Sequence, residues 1–344
     1  MRSRPSRRTF LAAAAVPAVA QSSRLTIDCQ SHLFVPELIA LMERRKTSPY
    51  VYRRDGGTFI VVNDWVRRLM PKHTDVNAKL ADMDAAGIQM TALSINDPGP
   101  ELFGSEGPAI ARLLHDHLAE IARKHALRFF ALMTLPLQDV PAALKEAERC
   151  VKLGMKGILL YSNINGEFPD EPKYRPLFEY AQDAGLPVLL HPAYPTTYQQ
   201  TKGYEMAAGL GLMFDTTIAL ARLILSGLLD EYPKLKLVCP HVGGALPYLV
   251  GRIDHQTMVL KRGADKIRRA PSEYLKQVWF DTVSPIAMAI RYGINFAGPD
   301  KMLYSSDHPW VEPKLILSLV RSLNLSPETE AKMLGGNAKA LFNL

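Results

Sequence analysis

Short apolar runs alternate along this chain with longer segments in which apolar residues recur every three or four positions. The short runs have the length of buried strands, and the longer segments have the period of amphipathic helices. Alternation of this kind indicates βαβ units and a parallel sheet, hence an α/β protein. The predicted strands cover residues 25–29, 88–95, 129–135, 157–160, 187–190, 235–238, 278–280 and 302–304.

Eight such units in one chain favour a closed (β/α)8 barrel, the TIM-barrel fold, over an open sheet. No Gly-x-Gly-x-x-Gly sequence follows the first strand, which argues against a dinucleotide-binding sheet. Residues 36–73 form an insertion after the first strand that is rich in arginine, glycine and aromatic residues. An insertion at this point covers the C-terminal end of the barrel, either as a substrate-binding flap or only as a solvated loop.

The first twenty residues are predicted to be an export signal and not part of the fold. A basic start is followed by an apolar run that ends in Ala-Val-Ala, and the pair Arg7-Arg8 is typical of the twin-arginine route. We therefore expect a single mature domain over residues 21–344, located in the periplasm or outside the cell.

Setting this signal aside changes the charge argument. The whole chain carries a formal charge of +7, and residues 1–20 hold four arginines and no acid, so the remainder carries +3. That is too little to indicate binding to nucleic acid or to an anionic membrane. We also expect no membrane span, because residues 21–344 hold no apolar run of the roughly 20 residues required. Cys29, Cys150 and Cys239 are too widely spaced for a disulfide framework and suggest buried thiols.

Polar residues gather where the predicted strands end. Gln30 and His32 follow the first strand, His191 the fifth, His241 the sixth and Asp307 the eighth. In a barrel of this type these ends meet at one face, where active sites lie. Imidazole and carboxylate are ligands for zinc or manganese, and an open coordination position can activate water or polarise a substrate oxygen. The pattern predicts one divalent metal ion, with zinc expected before manganese.

The two-residue period of a strand assigns faces within the first of these segments. Asp28, Gln30 and His32 should share one face, and Cys29 should point the other way. If Gln30 and His32 face the mouth of the barrel, Cys29 faces the surrounding helices and is a poor candidate for a ligand.

These motifs resemble the amidohydrolase superfamily, and within it the branch of aminocarboxymuconate semialdehyde decarboxylase. The resemblance covers nearly all of residues 21–344, and the segment that begins at His241 is its most specific part. The matching segments are Asp28-Cys29-Gln30-Ser31-His32, Leu190-His191-Pro192, His241-Val242-Gly243-Gly244-Ala245-Leu246-Pro247, Gly251-Arg252-Ile253-Asp254, Ser306-Asp307-His308-Pro309 and Gly335-Gly336-Asn337-Ala338.

The resemblance implies roles for the residues at the strand ends. His32, His191 and Asp307 would bind the metal, and His241 would be the catalytic acid–base residue that activates water or carries a proton. His308, next to Asp307, is a candidate for lining the mouth and contacting substrate.

Arginines are the implied ligands of a substrate carboxylate. Arg252 matches an arginine that reaches into the neighbouring subunit's site in the family's dimers, so the resemblance implies a homodimer. A surface ion pair with Asp254 or another acid is the alternative. The family also uses an arginine of the first insertion, and Arg53 or Arg54 is the candidate here.

The chain departs from the family pattern at Gln30, where the family has His, or Glu in some aromatic-acid decarboxylases. Three interpretations follow. Gln30 is a weak metal ligand; or His32, His191 and Asp307 bind the metal alone while Gln30 holds water or substrate; or the metal is lost. If the metal is retained, a neutral amide leaves the site one charge more positive than Glu would, which favours an anionic substrate.

Two enzymatic functions use the same residues. In a metal-dependent decarboxylase, a carboxy-lyase, His241 delivers a proton as CO₂ leaves; in a metal-dependent hydrolase it assists a water molecule. The alternative is an inactive, metal-free barrel that binds a small ligand. Because His241, its glycines and Asp307 are all present, we expect an enzyme that acts on a small carboxylate substrate.

Overall fold

Eight parallel strands form a barrel in the computed structural model of this protein, which describes residues 25–344. Hydrogen bonds from Cys29 N to Tyr304 O (3.0 Å) and from His32 N to His308 O (2.7 Å) join the last strand and its following segment to the first strand. The predicted (β/α)8 fold is confirmed. The barrel strands, in their order around the sheet, are β1 (Ile27–His32), β5 (Met90–Ser94), β6 (Phe129–Met133), β7 (Gly157–Tyr161), β8 (Val188–His191), β9 (Leu237–Cys239), β10 (Trp279–Asp281) and β11 (Met302–Leu303).

Residues at alternate positions of these strands build two apolar layers. Leu159, Leu189 and Val238 fill the barrel interior, while Ile158 and Leu190 pack against the helices outside. The helices are α1 (Pro36–Glu43), α2 (Val76–Ala86), α3 (Gly107–Lys124), α4 (Val140–Lys152), α5 (Arg175–Asp183), α6 (Tyr198–Thr201), α7 (Leu212–Leu225), α8 (Leu228–Glu231), α9 (Leu246–Asp254), α10 (Pro271–Leu275), α11 (Ala287–Ala297), α12 (Pro313–Ser322), α13 (Pro327–Ala331) and α14 (Asn337–Phe342).

Strand β1 contains an irregularity that the two-residue period did not predict. Its pairing register with β5 shifts between Asp28 and Ser31, and such a bulge turns consecutive side chains to the same side. Cys29 packs in the barrel interior, where it lines the same small void as Gln30. Ser31 turns outward and accepts a hydrogen bond from Lys79 of α2. The expectation that Cys29 faces the helices was therefore wrong.

The insertion is an ordered structure and not a solvated loop. After α1 it forms a three-stranded antiparallel sheet in the order β2-β3-β4, followed by a short 3-10 turn. Arg67 of this sheet pairs with both oxygens of Asp97 beyond β5, at 2.6 and 2.9 Å. Asp64 accepts hydrogen bonds from Tyr194 and Gln199 beyond β8. The sheet is thus fixed to two segments of the barrel mouth; its strands are β2 (Tyr50–Arg54), β3 (Gly57–Val62) and β4 (Trp65–Leu69).

One helical stretch of the described chain, Ala207–Leu225, is long and apolar enough to cross a membrane by those two criteria alone. This departs from the expectation of no such run. A single helix of this kind is weak evidence for a span, because helices that pack on a protein core pass the same test. One face of this stretch does pack on the barrel, through Leu220, Leu223 and Ile224. The predicted export signal, residues 1–20, lies outside the described residues and stays a prediction.

Candidate metal centre

Three side chains that stand far apart in the sequence meet at the mouth of the barrel. His32, His191 and Asp307 place potential ligand atoms within 4.8 Å of one another. His32 Nε2 lies 3.1 Å from Asp307 Oδ1, and the rings of the two histidines lie 4.4 Å apart between centroids. The structure therefore brings together the three residues that the strand ends and the family resemblance single out.

Hydrogen bonds orient both histidines so that Nε2 faces the site. The Nδ1–H of His191 donates to the carbonyl of Pro192 at 2.8 Å, and its buried Nε2 has no partner among the described residues. His32 Nδ1 lies 3.0 Å from the Ser94 hydroxyl, which itself donates to the carbonyl of Ser31 and so can accept from His32. Fixing Nδ1 in this way leaves Nε2 free to bind an ion.

The charges at the site also suit a cation. Burial lowers the pKa of His191 well below its usual value, so the ring is a neutral donor. Burial raises the pKa of Asp307, but its interactions with the imidazoles of His241 and His32 outweigh that effect and hold the pKa well below its usual range. Two neutral imidazole nitrogens and one carboxylate oxygen are a fitting donor set for a divalent ion such as zinc or manganese.

Gln30 lies beside these ligands and is 4% exposed. Its amide nitrogen donates to Asp307 Oδ1 at 3.0 Å and lies 3.4 Å from His241 Nε2. The amide thus contacts both the acidic ligand and the proposed acid–base residue.

His241 is held by a turn in a rare backbone conformation. The φ angles of His241, Val242, Gly243 and Gly244 are all positive, at 55, 56, 82 and 62°, and this region is costly for a β-branched residue such as Val242. A Cβ added at Gly243 would lie 2.6 Å from a ring carbon of Phe280. The two glycines of the His-Val-Gly-Gly motif are therefore required by both backbone angle and packing.

This turn directs His241 at the candidate ligands. Its Nε2 lies 3.8 Å from Asp307 Oδ2, and its ring centroid lies 6.1 Å from that of His191. Burial lowers the pKa of His241, but the nearby carboxylate of Asp307 outweighs that effect and raises the pKa above its ordinary value. His241 can therefore hold a proton beside the site near neutral pH.

Asp281 supports this turn and was missed in the sequence analysis. Its Oδ1 accepts hydrogen bonds from the backbone N–H of Val283 (3.1 Å) and Val242 (3.4 Å), and burial raises its pKa to about 6. The signal was present: Asp281 directly follows the seventh predicted strand, as the other site residues follow theirs.

The structure does not bring Arg53 or Arg54 to the site. Both side chains are about 70% exposed and pair with Glu43 and Asp55, at the solvent end of the insertion. The arginine of the insertion that pairs with the barrel mouth is instead Arg67, whose side chain is 10% exposed and contacts Asp97. The expectation for Arg53 and Arg54 is therefore corrected.

The expectation that His308 lines the mouth and contacts substrate is also corrected. Its ring is buried, with Nδ1 2.7 Å from Lys79 Nζ and Nε2 2.8 Å from Asp82 Oδ2, so neither nitrogen is free for substrate. Burial lowers the pKa of Lys79 to about 7. Lys79 and His308 support the segment of Asp307 from behind.

Arg252 lies exposed on α9. None of the ion pairs among residues 25–344 involves it, and Asp254 instead accepts a hydrogen bond from Ser272 N. The alternative of a surface ion pair with Asp254 is thus not what the structure shows.

A second cluster of potential ligands, His115, Glu146 and Cys150, lies between α3 and α4. His115 Nδ1 pairs with Glu146 at 2.7 Å, and its Nε2 accepts a hydrogen bond from Thr134 N at 3.0 Å. Arg149 occupies both oxygens of Glu146. These atoms are satisfied within the protein, so the cluster has a packing role. All three cysteines are free and buried, as predicted.

Glu101 is a buried acid near the mouth that the sequence analysis did not single out. It is 3% exposed and lines a cavity of about 270 Å³ with Asn163 and Tyr194. Burial, with a smaller contribution from the charge of Asp97, raises its pKa to about 8. The carboxyl group therefore keeps its proton at neutral pH.

Replacing Glu101 with glutamine should change how stability depends on pH. The folded protein holds this proton up to about pH 8, whereas the unfolded chain loses it near 4.5. Wild-type stability should therefore fall, relative to Glu101→Gln, as pH rises from 4.5 to 8, by up to about 1.4 kcal/mol per pH unit. Urea unfolding at pH 5, 6.5 and 8 measures this difference, with the exposed Glu148→Gln as control. A constant offset between the two proteins would contradict the assignment.

Comparison with known proteins places this geometry in a family. The family description "Amidohydrolase" matches residues 27–344. The chain belongs to the amidohydrolase family. It is 31% identical over 308 residues to gamma-resorcylate decarboxylase of a Rhizobium species, covering 85% of this chain and 94% of that one. It is 27% identical over 279 residues to 2-amino-3-carboxymuconate-6-semialdehyde decarboxylase of Dictyostelium discoideum, covering 78% and 77%.

A solved structure agrees with these relatives. The dihydroxybenzoic acid decarboxylase of a Polaromonas species, with bound manganese and the inhibitor 2-nitroresorcinol, superposes with a TM-score of 0.80 at 27% identity. The match covers 93% of this chain and 97% of that one. The protein is accordingly a metal-dependent enzyme of this superfamily, as the resemblance implied, and the inactive barrel is not favoured.

Proposed function

We propose that this enzyme is a metal-dependent decarboxylase of an aromatic or similarly unsaturated carboxylic acid. The observation that carries the proposal is the position of His241 Nε2, 3.8 Å from a carboxylate oxygen of the ligand Asp307. A proton donor thus stands directly beside the place where a metal-bound substrate would lie. The relatives named above are decarboxylases of hydroxybenzoate or carboxymuconate compounds, which supports carbon–carbon cleavage over hydrolysis.

The reaction assigns one chemical task to each group. A divalent ion bound by His32, His191 and Asp307 would hold the substrate and polarise its oxygens. His241 gives its proton to the carbon that bears the carboxylate. A π bond of the substrate supplies the electrons of the new C–H bond. The bond between that carbon and the carboxylate then breaks, its electron pair returns to the π system, and CO₂ leaves. Water returns a proton to His241. His241 suits this role because its Nε2 faces the site beside Asp307 and an imidazole can give and regain a proton near neutral pH.

We propose a single ion per chain and manganese as the first ion to test. The solved Polaromonas relative holds manganese, whereas the ligand types alone put zinc first. Metal-free protein reconstituted with each ion, and assayed for bound metal and turnover, decides between them.

The test of the function is CO₂ release from a panel of hydroxybenzoates, beginning with gamma-resorcylate, run beside a panel of esters and lactones. We expect metal-dependent CO₂ release that a chelator stops and added metal restores. Ester or lactone cleavage without CO₂ release would replace the proposal with the hydrolase alternative. Turnover that survives complete metal removal would contradict both functions.

We further propose that the protein is a homodimer in which Arg252 contacts the partner's site. Leu210, Phe214 and Ile218 form a stripe at four-residue spacing and are 46, 43 and 37% exposed. Tyr248, one turn before Arg252 on α9, is 81% exposed. An exposed apolar stripe of this kind marks an interaction surface. A second copy would cover it and could also bury Arg252, which has no ion-pair partner among residues 25–344.

Substituting Phe214→Glu should convert the dimer to a monomer and lower activity, because Arg252 would lose its contact with the neighbouring site. Analytical ultracentrifugation measures the mass. Leu127→Glu is the control, since Leu127 is 84% exposed and lies between α3 and β6. A wild-type protein that is monomeric and fully active would contradict the proposal. A monomer whose exposed apolar stripe binds lipid vesicles would also contradict it.

A further inference from the structure

We infer that Gln30 orients Asp307 and His241 through its amide nitrogen and stays outside the coordination sphere of the metal. The inference rests on the metal-dependent function proposed above. It assigns a positioning role to the residue at which this chain departs from its family.

The contacts of the side chain carry the assignment. Gln30 Nε2 donates to Asp307 Oδ1 at 3.0 Å, the same oxygen that lies 3.1 Å from His32 Nε2. An amide nitrogen has no lone pair for a metal, so only Oε1 could be a ligand. Turning the amide to present Oε1 on this side would set two acceptors against each other and lose the hydrogen bond. The amide nitrogen therefore belongs on the side of Asp307.

The backbone holds Gln30 and Asp307 in this register. Asp307 N donates to Gln30 O at 2.9 Å, and Gln30 N donates to Asp28 Oδ1 at 3.2 Å. Asp28 in turn accepts hydrogen bonds from the N–H (3.0 Å) and hydroxyl (2.5 Å) of Ser306. A buried carboxylate thus ties β1 to the segment after β11, and the amide of Gln30 has little freedom to turn away.

The same amide also reaches His241. Gln30 Nε2 lies 3.4 Å from His241 Nε2, which can accept this N–H once His241 has given up its proton; the other ring nitrogen of His241 is buried without a partner in the described chain. Gln30 is therefore the side chain that joins the acidic ligand to the proton donor. Losing it should disturb the alignment of His241 with the substrate more than it disturbs the ion.

The consequence is a metal held by three protein ligands with one negative charge. The hydrogen bond from the Gln30 amide to Asp307 also makes that carboxylate a weaker electron donor to the ion. Compared with a glutamate at position 30, the site should bind the ion less tightly and leave one more coordination position for solvent or substrate.

Counting the water molecules on bound Mn²⁺ tests the inference without any turnover. Purified mature protein is stripped of metal and loaded with Mn²⁺, and electron–nuclear double resonance counts the coordinated waters. We expect Gln30→Ala to leave the count unchanged while kcat falls by about 10-fold to 100-fold, the usual effect of losing a residue that orients a ligand. Gln30→Glu should bind Mn²⁺ more tightly and lose one water. Gln256→Glu, at an exposed position, is the matched control.

One additional water in Gln30→Ala would overturn the inference, because it would show that a ligand was lost. Gln30→Met, similar in size and without an oxygen, replaces Gln30→Ala if that variant fails to fold. The water count is separable from the proposed function. If Gln30→Ala binds Mn²⁺ with the same number of waters as the wild type, but the wild type releases no CO₂, the inference stands and the proposed function is wrong. If the wild type releases CO₂ and Gln30→Ala gains a water on Mn²⁺, the function stands and the inference is wrong.

Discussion

Asp307→Ala should weaken Mn²⁺ binding by at least about 100-fold and reduce kcat/KM by about 1000-fold or more, since losing even a residue that only orients a ligand costs 10-fold to 100-fold. Asp307 supplies the negative charge of the cluster, and its carboxylate is the shared partner of His32 and Gln30. Removing it leaves two neutral imidazoles, which hold a hard divalent ion poorly.

Metal content after dialysis and steady-state CO₂ release measure these two effects. Asp265→Ala, at an exposed acid, is the matched control, and far-ultraviolet circular dichroism confirms that the barrel is intact. Stoichiometric, tightly held metal together with near-normal activity in Asp307→Ala would show that the ion is bound elsewhere.

His241→Asn should leave metal binding close to wild type and lower kcat by about 100-fold to 10,000-fold, the usual contribution of a positioned acid or base. Asparagine fills similar space but carries no titratable proton. The pH profile of kcat should therefore lose the step that reports the His241 proton, while the Mn²⁺ dissociation constant stays within a few-fold.

His255→Asn, at an exposed position directly after the C-terminal end of α9, controls for the loss of an imidazole outside the site. Loss of the metal in His241→Asn would make His241 a ligand in place of a proton donor. Retention of full activity would require another proton source. The contrast between Asp307→Ala and His241→Asn separates binding from chemistry more clearly than either variant alone.

The sequence predicted those parts of the molecule that depend on local pattern and on a general rule of topology. Each barrel strand is a short apolar run, and the C-terminal ends of parallel strands meet at one face. His32, His191, His241 and Asp307 were found for that reason, and Asp281 could have been found by the same rule. None of these assignments needs knowledge of which side chains pack together.

The parts that were wrong depend on pairing between distant segments. The shift in β1 comes from its register with β5, some 60 residues away along the chain, and it turned Cys29 inward against the two-residue period. Which arginine of the insertion points at the barrel depends on the register of β4 in its small sheet, which favours Arg67 over Arg53 and Arg54.

Lys79 shows the same limit on a helix. Its neighbours in α2 give no sign of burial, yet it is 1% exposed because Ser31 and His308, 48 and 229 positions away, receive its hydrogen bonds. Those contacts also explain why His308 is unavailable to substrate although it adjoins Asp307. Long-range partners of this kind cannot be read from local periodicity.

Anomalous diffraction at the manganese edge, from crystals of Mn²⁺-loaded protein, tests the central claim most directly. The claim predicts one strong peak per chain, with His32 Nε2, His191 Nε2 and an Asp307 carboxylate oxygen each within about 2.0–2.3 Å of it. No peak at the barrel mouth, or a peak at the cluster of His115, Glu146 and Cys150 in its place, would contradict it.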